Sequence, residues 1–429
     1  MNIEKLYKAS HKLDTDHDLD VLIERIGDAR YVLLGEASHG TSEYYTWRSK
    51  ISRRLIEEKG FSFIAVEGDW PDCYMVNRYI KGYPDSGTTA KEVLKTFDRW
   101  PTWMWANWEV VALTEWLKTH NERVPKEKKA GFYGLDVYSL WESMEAIIKY
   151  LEKVDPAAVK VAKEAYQCFA PYEKDEQAYA RATRFVSEVC EDEVVEMFKM
   201  IRSKTKEYAG DAEAAFSTEQ NALVSVNAER YYRAMVKGSS ESWNIRDTHM
   251  NDTLNRLMKF HGTESKAIVW EHNTHIGDAR ATDMKRQGMV NVGQLVREQH
   301  EQEGVFIVGF GAYQGGVIAA DEWGAPMQEI MAPPAQSGSW EAILHEIEPR
   351  DRIIMLDELQ GDADFMNVRG HRAIGVVYHP HFEKYGNFVP TVLPARYNAF
   401  IFIDETEALH PLHIRSEKHR IPETFPWGM

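Results

Sequence analysis

Seven short apolar runs rich in β-branched and aromatic residues punctuate this chain, and longer stretches with apolar residues every three or four positions separate them. The runs are YVLLGE (31–36), FSFIAVEGD (61–69), GFYGLD (131–136), KAIVWEHN (266–273), VFIVGF (305–310), HRAIGVVYH (371–379) and AFIFID (399–404). Runs this apolar on both faces suit strands buried between two helical layers, the pattern of a mainly parallel sheet. Between the first two runs, Tyr44, Trp47, Ile51 and Leu55 fall at helical spacing; Thr41 or Ser42 can cap the start and Gly60 the end. Strand, helix, strand makes a βαβ unit, so the expected fold class is α/β, a mainly parallel sheet flanked by helices.

From about 140 to 258 the strand pattern stops. Segments such as VVEMFKMIRS and LVSVNAERYYRAM carry apolar residues at helical spacing among Glu, Lys and Ala. This predicts a large helical insertion that forms one wall of a cleft. The expected organisation is a first core part over 1–139, the insertion over 140–260, and a second core part over 261–429. MAPPAQSGSW (331–340) reads as a loop, as does GFGAYQGG (309–316), which misses the dinucleotide fingerprint.

The 429 residues carry 51 Lys and Arg against 67 Asp and Glu, a formal charge of −16. Such a surface repels phosphate backbones and anionic lipid, which argues against nucleic-acid and membrane partners. No apolar run approaches the length of a spanning helix or a signal peptide, which points to a cytoplasmic protein. Cys73, Cys168 and Cys190 are too few and too scattered for a disulfide framework or a Cys-type zinc site. Nothing readable sets the oligomeric state.

The chemistry gathers where the expected strands end. Glu36 and His39 follow the first, Glu67 and Asp69 the second, Asp136 the third, and Glu271, His272 and His275 the fourth. Ligands of open α/β sheets bind outside the carboxyl ends of the strands, so these positions predict one polar cleft. A lone carboxylate there is more often a helix cap or a satisfied structural group; the repetition at four strand ends is what suggests a site. In GEASHG (35–40), two glycines permit close approach, and Glu36 lies near enough to orient His39 and raise its basicity, as a general base requires. Arg48, nine residues on, reads equally well as a surface ion pair or as a guanidinium for a carboxylate or oxyanion. His272 and His275 offer oxyanion stabilisation, proton transfer or metal ligation. The chain has no GxSxG, GxxxxGK[ST] or HExxH motif. WPTWMWANW (100–108) reads first as packing beside a helix starting near Asn107, and second as an apolar wall in which Trp103 and Trp105 meet a bulky substrate, with Asp69, Trp70 and Asp136 beside them.

GEASHG with an Arg-bearing helix, then AVEGDW, then WEHNTHIGD, resembles the erythromycin esterase family, which includes succinoglycan-biosynthesis-like proteins. The resemblance runs from about Tyr31 to Asp404 and is weakest in the insertion. It implies an α/β core with a helical insertion and hydrolysis of a macrolide lactone without a covalent serine intermediate, hence antibiotic resistance. It matches His39 to the general base and Glu36 to the carboxylate beside it, and Arg48, Glu67, His272 and His275 to further active-site positions. The GxxH turn is also similar to that of a wider superfamily with metal-dependent peptidases and a haem-binding protein. The expectation is therefore a hydrolase of a small-molecule ester or lactone that requires no cofactor. Two alternatives stand beside it: a divalent-metal hydrolase with His39, His272, His275 and Glu36 or Glu67 as ligands, and a non-catalytic protein that binds haem or an oligosaccharide.

Overall fold

The computed structural model describes residues 2–413 apart from 173–174, 185–188, 206, 209 and 238–239. Its strands are β1 (Ser10–Lys12), β2 (Tyr31–Leu34), β3 (Phe63–Asp69), β4 (Gly131–Asp136), β5 (Ala267–Trp270), β6 (Val305–Ala319), β7 (Gln328–Ala332), β8 (Arg352–Met355), β9 (Arg369–Arg372), β10 (Phe388–Thr391) and β11 (Ala399–Thr406). One sheet runs in the order β1-β8-β11-β6-β2-β5-β3-β4, with β7 on the far part of β6. From β11 to β4 every neighbour is parallel; β1, β7 and β8 are antiparallel additions. The α/β class with a mainly parallel sheet is therefore the observed one.

All four residues of β2 are buried, and they alternate between two cores. Val32 and Leu34 face the layer that holds Ile51, Leu55 and Val76, whereas Tyr31 and Leu33 face the layer that holds Met250 and Leu254. A central parallel strand covered on both faces has no room for a polar side chain, so its polar residues collect at its end. The first helix, Ser42–Lys59, buries Tyr44, Trp47, Ile51 and Leu55 as expected and stops at Gly60, which adopts φ +69°. Thr41 sits at the cap position, but its hydroxyl pairs with Ser38 instead of the helix. Asn107 caps the helix Trp108–Arg123 through the Val110 amide at 2.8 Å.

The insertion is helical. Leu140–Val154, Val159–Cys168, Glu191–Lys204, Ala212–Met235 and Glu241–His261 enclose a core of their own around Met144, Ile147, Met197 and Tyr232. Cys168 and Cys190, 22 positions apart, form a disulfide within it, a single bridge that the sequence reading, concerned with a framework or a zinc site, did not anticipate. Cys73 is a free, buried thiol.

Three strand expectations need correction. Only the first residues of the run 371–379 are strand, and they pair with β10 away from the main sheet. The rest crosses the strand ends, with the Ile374 amide donating to Ala37 and the Ala320 amide to Val376. Second, 309–316 is no loop, because β11 and β7 pair with it and hold β6 extended to Ala319. Third, β7 takes the first two residues of the expected loop at 331–340. Among the described residues no helix is long and apolar enough to cross a membrane.

Candidate active site

A cavity of about 100 Å³ opens at the carboxyl ends of β2, β3, β4 and β5. His39, Glu67, Asp69, Asp136, His272 and His275 all line it, as the strand-end pattern predicts, and so does Trp105.

The turn from β2 into the first helix places His39. A Cβ on Gly40 would run into the backbone of Ile318, and one on Gly35 into the Asn273 side chain. Both glycines therefore serve close approach, which draws the turn against β6 and the segment after β5. His39 Nδ1 lies 2.9 Å from Glu36 Oε1, and Arg48 donates to Glu36 Oε2 at 2.5 Å. A carboxylate in that position accepts the Nδ1–H proton and leaves Nε2 as the basic nitrogen. Burial alone would lower the His39 pKa, but the hydrogen bond from Glu36 and the charges of Glu67 and Glu36 outweigh it and raise it.

Arg48 does not reach the cavity. It is fully buried behind Glu36, its guanidinium 4.5 Å from the Tyr45 ring and 4.6 Å from the Trp270 ring. This corrects the surface ion pair and oxyanion readings of it; the carboxylate it holds is Glu36, which orients His39.

His272 is the more informative imidazole. Its Nδ1 accepts from the Thr274 backbone amide at 3.3 Å, with the Thr274 hydroxyl at 2.8 Å. A backbone N–H can only donate, so Nδ1 carries no proton and the neutral ring holds its proton on Nε2. Burial, then the charges of His39 and His275, keep the His272 pKa well below the usual imidazole range. Nε2 is buried without a hydrogen-bond partner; the Ala37 carbonyl nearby pulls the pKa upward but does not meet bonding geometry. The His272 ring centre lies 5.0 Å from that of His39.

His275 lines the cavity with both nitrogens engaged. Nδ1 lies 3.0 Å from each Asp247 oxygen, Nε2 lies 3.0 Å from Arg246 Nη1, and Trp243 stacks on the ring at 4.6 Å. Arg246 also donates to Glu67 Oε1 at 2.7 Å and to both Asp136 oxygens. Burial would raise the Glu67 pKa, but His275, Arg246, His39 and the His272 amide (2.8 Å to Oε2) hold it well below the carboxylate range. Burial raises Asp69 to about 6 despite Arg99 at 3.1 Å, and raises Asp72 well above its usual value, with Asp69 adding to the shift.

Two expected substrate contacts lie elsewhere. Trp70 stacks on Tyr133 on the far face of β3, with its indole N–H on Ser217, and Trp103 is 1% exposed in the other core layer. Both point away because consecutive aromatic positions alternate between faces or turns, and only some can reach one cavity. Trp105 does line the cavity and donates to the Glu67 carbonyl at 3.0 Å. Arg246 and Asp247 went unrecognised inside an insertion legible only as helical. Their one signal was a charged pair on a face that also bears Trp243, Met250 and Leu254.

Among the described residues no three His, Cys, Asp or Glu side chains are grouped to hold a metal ion. His39 Nδ1, both His275 nitrogens and both Glu67 oxygens are instead occupied within the protein.

A hydrogen-bonded Glu–His pair facing a neutral imidazole at the strand ends of a parallel sheet is an enzyme site equipped for acid–base chemistry. The chain belongs to the erythromycin esterase family, whose model, "Erythromycin esterase", matches residues 56–406. It is 20% identical over 409 residues to "Putative hydrolase YbfO" of Bacillus subtilis (strain 168), covering 91% of this chain and 86% of that protein. It is 23% identical over 287 residues to "Erythromycin esterase type II" of Escherichia coli, covering 63% and 66%. A crystal structure described as a succinoglycan biosynthesis protein shares the fold, with TM-score 0.78, 22% identity and coverage of 95% and 97%. Family membership makes the protein a hydrolase.

Proposed function

We propose that the protein hydrolyses a carboxylic ester through water activated by His39, with no covalent enzyme intermediate. The carrying observation is the Glu36–His39 pair at 2.9 Å on the wall of a cavity that His272 also lines. His39 Nε2 takes one proton from water as the water oxygen attacks the ester carbonyl carbon. Negative charge develops on the carbonyl oxygen, for which the Nε2–H of neutral His272 is a preorganised donor. When the tetrahedral intermediate collapses, the C–O bond to the alcohol breaks and the proton held by His39 passes to the leaving alkoxide. The products are one acid and one alcohol. Glu67 and Arg246 form an ion pair beside these groups, His275 is held between Asp247 and Arg246, and Arg48 holds Glu36 in place.

A macrolide lactone is the ester that the family suggests, and its opening would give resistance; the chemistry at His39 needs only an accessible ester carbonyl. The scheme requires no metal, so activity should survive exhaustive chelation. Loss on chelation and recovery with Mn²⁺ or Zn²⁺ would replace it with the metal-dependent reading. The direct test is His39→Ala: the variant should fold and lose turnover by ~10²–10⁴. Hydrolysis at the wild-type rate would remove His39 from the mechanism, and ligand-induced stabilisation without product would favour a binding protein.

A further inference from the structure

The cavity is small for the substrates that the family suggests. Pockets that enclose drug-sized ligands measure roughly 300–1,000 Å³; this one measures about 100 Å³. Two indoles, Trp100 and Trp323, line it, with ring centres 5.1 Å apart and planes inclined by 57°. Trp100 is anchored twice. Its indole N–H donates to the Ala325 carbonyl at 3.0 Å, and its ring meets the buried Trp103 edge-on at 5.6 Å. The first of these bonds ties Trp100 to the segment after β6 that carries Trp323. Trp323 itself is only partly buried, so it forms the outer part of this boundary.

We propose, on the basis of the ester-hydrolase reading, that this site accepts compact esters. Trp100 and Trp323 set the size limit. Apolar fit to the indoles discriminates by length, since one surplus or missing methylene typically changes kcat/KM by ~10–200-fold.

The test is a series of ethyl esters (acetate, butyrate, octanoate) with a macrolide lactone, followed by mass spectrometry. The wild type should favour acetate and butyrate over octanoate by ~10-fold or more and leave the macrolide intact. Trp323→Ala should raise the octanoate-to-acetate ratio of kcat/KM by ~10-fold or more, and Trp100→Ala should move the same ratio upward. Equal turnover of all chain lengths, or macrolide opening at the acetate rate, overturns the size limit while leaving the ester-hydrolase reading standing. No hydrolysis across the whole series overturns that reading and this proposal with it.

Discussion

Arg246 grips Asp136 with two nitrogens, Nε to Oδ1 at 2.9 Å and Nη2 to Oδ2 at 2.6 Å, and thereby ties the helical insertion to the end of β4. The same guanidinium reaches Glu67 at the end of β3 and His275 beyond β5. One side chain from the insertion thus neutralises and aligns groups from three strand ends.

Replacing Arg246 with Met should therefore leave Glu67 and Asp136 buried without their counter-ion and destabilise the protein by about 3–5 kcal/mol. Arg246→Lys keeps the charge but loses the fork, and should fall between that variant and the wild type. Urea unfolding midpoints measure both; a Met variant as stable as the wild type would show that the ion pairs contribute nothing net.

Activity should rise with pH, because His39 acts as a base only when neutral. Glu36 raises its pKa, so the midpoint of kcat/KM should lie above the ~6.5 of an ordinary imidazole. As pH falls through that raised value the ring protonates and turnover is lost. Glu36→Gln removes the carboxylate whose hydrogen bond and charge raise it, so the midpoint should shift downward and the rate should fall at every pH. A midpoint that stays in place in the Gln variant would assign the limb to another group.

His272→Phe should lower kcat by ~10²–10³ through loss of the oxyanion donor. It should also cost about 1–3 kcal/mol of stability, because Phe leaves the buried Thr274 amide without the acceptor that His272 Nδ1 supplies. Kinetics combined with thermal unfolding separate the two effects; a large loss of stability with unchanged kcat would make His272 structural.

Reducing the Cys168–Cys190 bond should destabilise the insertion by about 3 kcal/mol, the closure entropy of a loop of this length. Melting with and without dithiothreitol, and of a Cys168→Ser variant, measures it. Identical melting temperatures would mean that the bond is absent from the protein in solution.

Much of this was legible in the chain. The strands β2, β3, β4, β5 and β11 announce themselves because a strand covered on both faces must be apolar throughout. The polar residues that follow mark where that cover ends, so His39, Glu67, Asp136, His272 and His275 could be assigned to one cleft from pattern alone. The helix Ser42–Lys59 and its Gly60 terminus were readable for the same local reasons.

What the sequence could not decide is direction and partnership. Arg48 and Arg246 are both arginines on helices, yet one is spent behind Glu36 and the other faces the cavity, because helix rotation and the approach of distant segments set which way each points. Trp70, Trp103 and Trp105 cannot be told apart by composition; only the packing of β3 against its neighbours sends the third to the site. Periodicity is a local property, and it determined the layers and the end of the sheet where chemistry collects. The ion pairs that join insertion to core, and the small cavity that Trp100 and Trp323 help to bound, arise from contacts between residues far apart in the chain, and only the tertiary structure decided them.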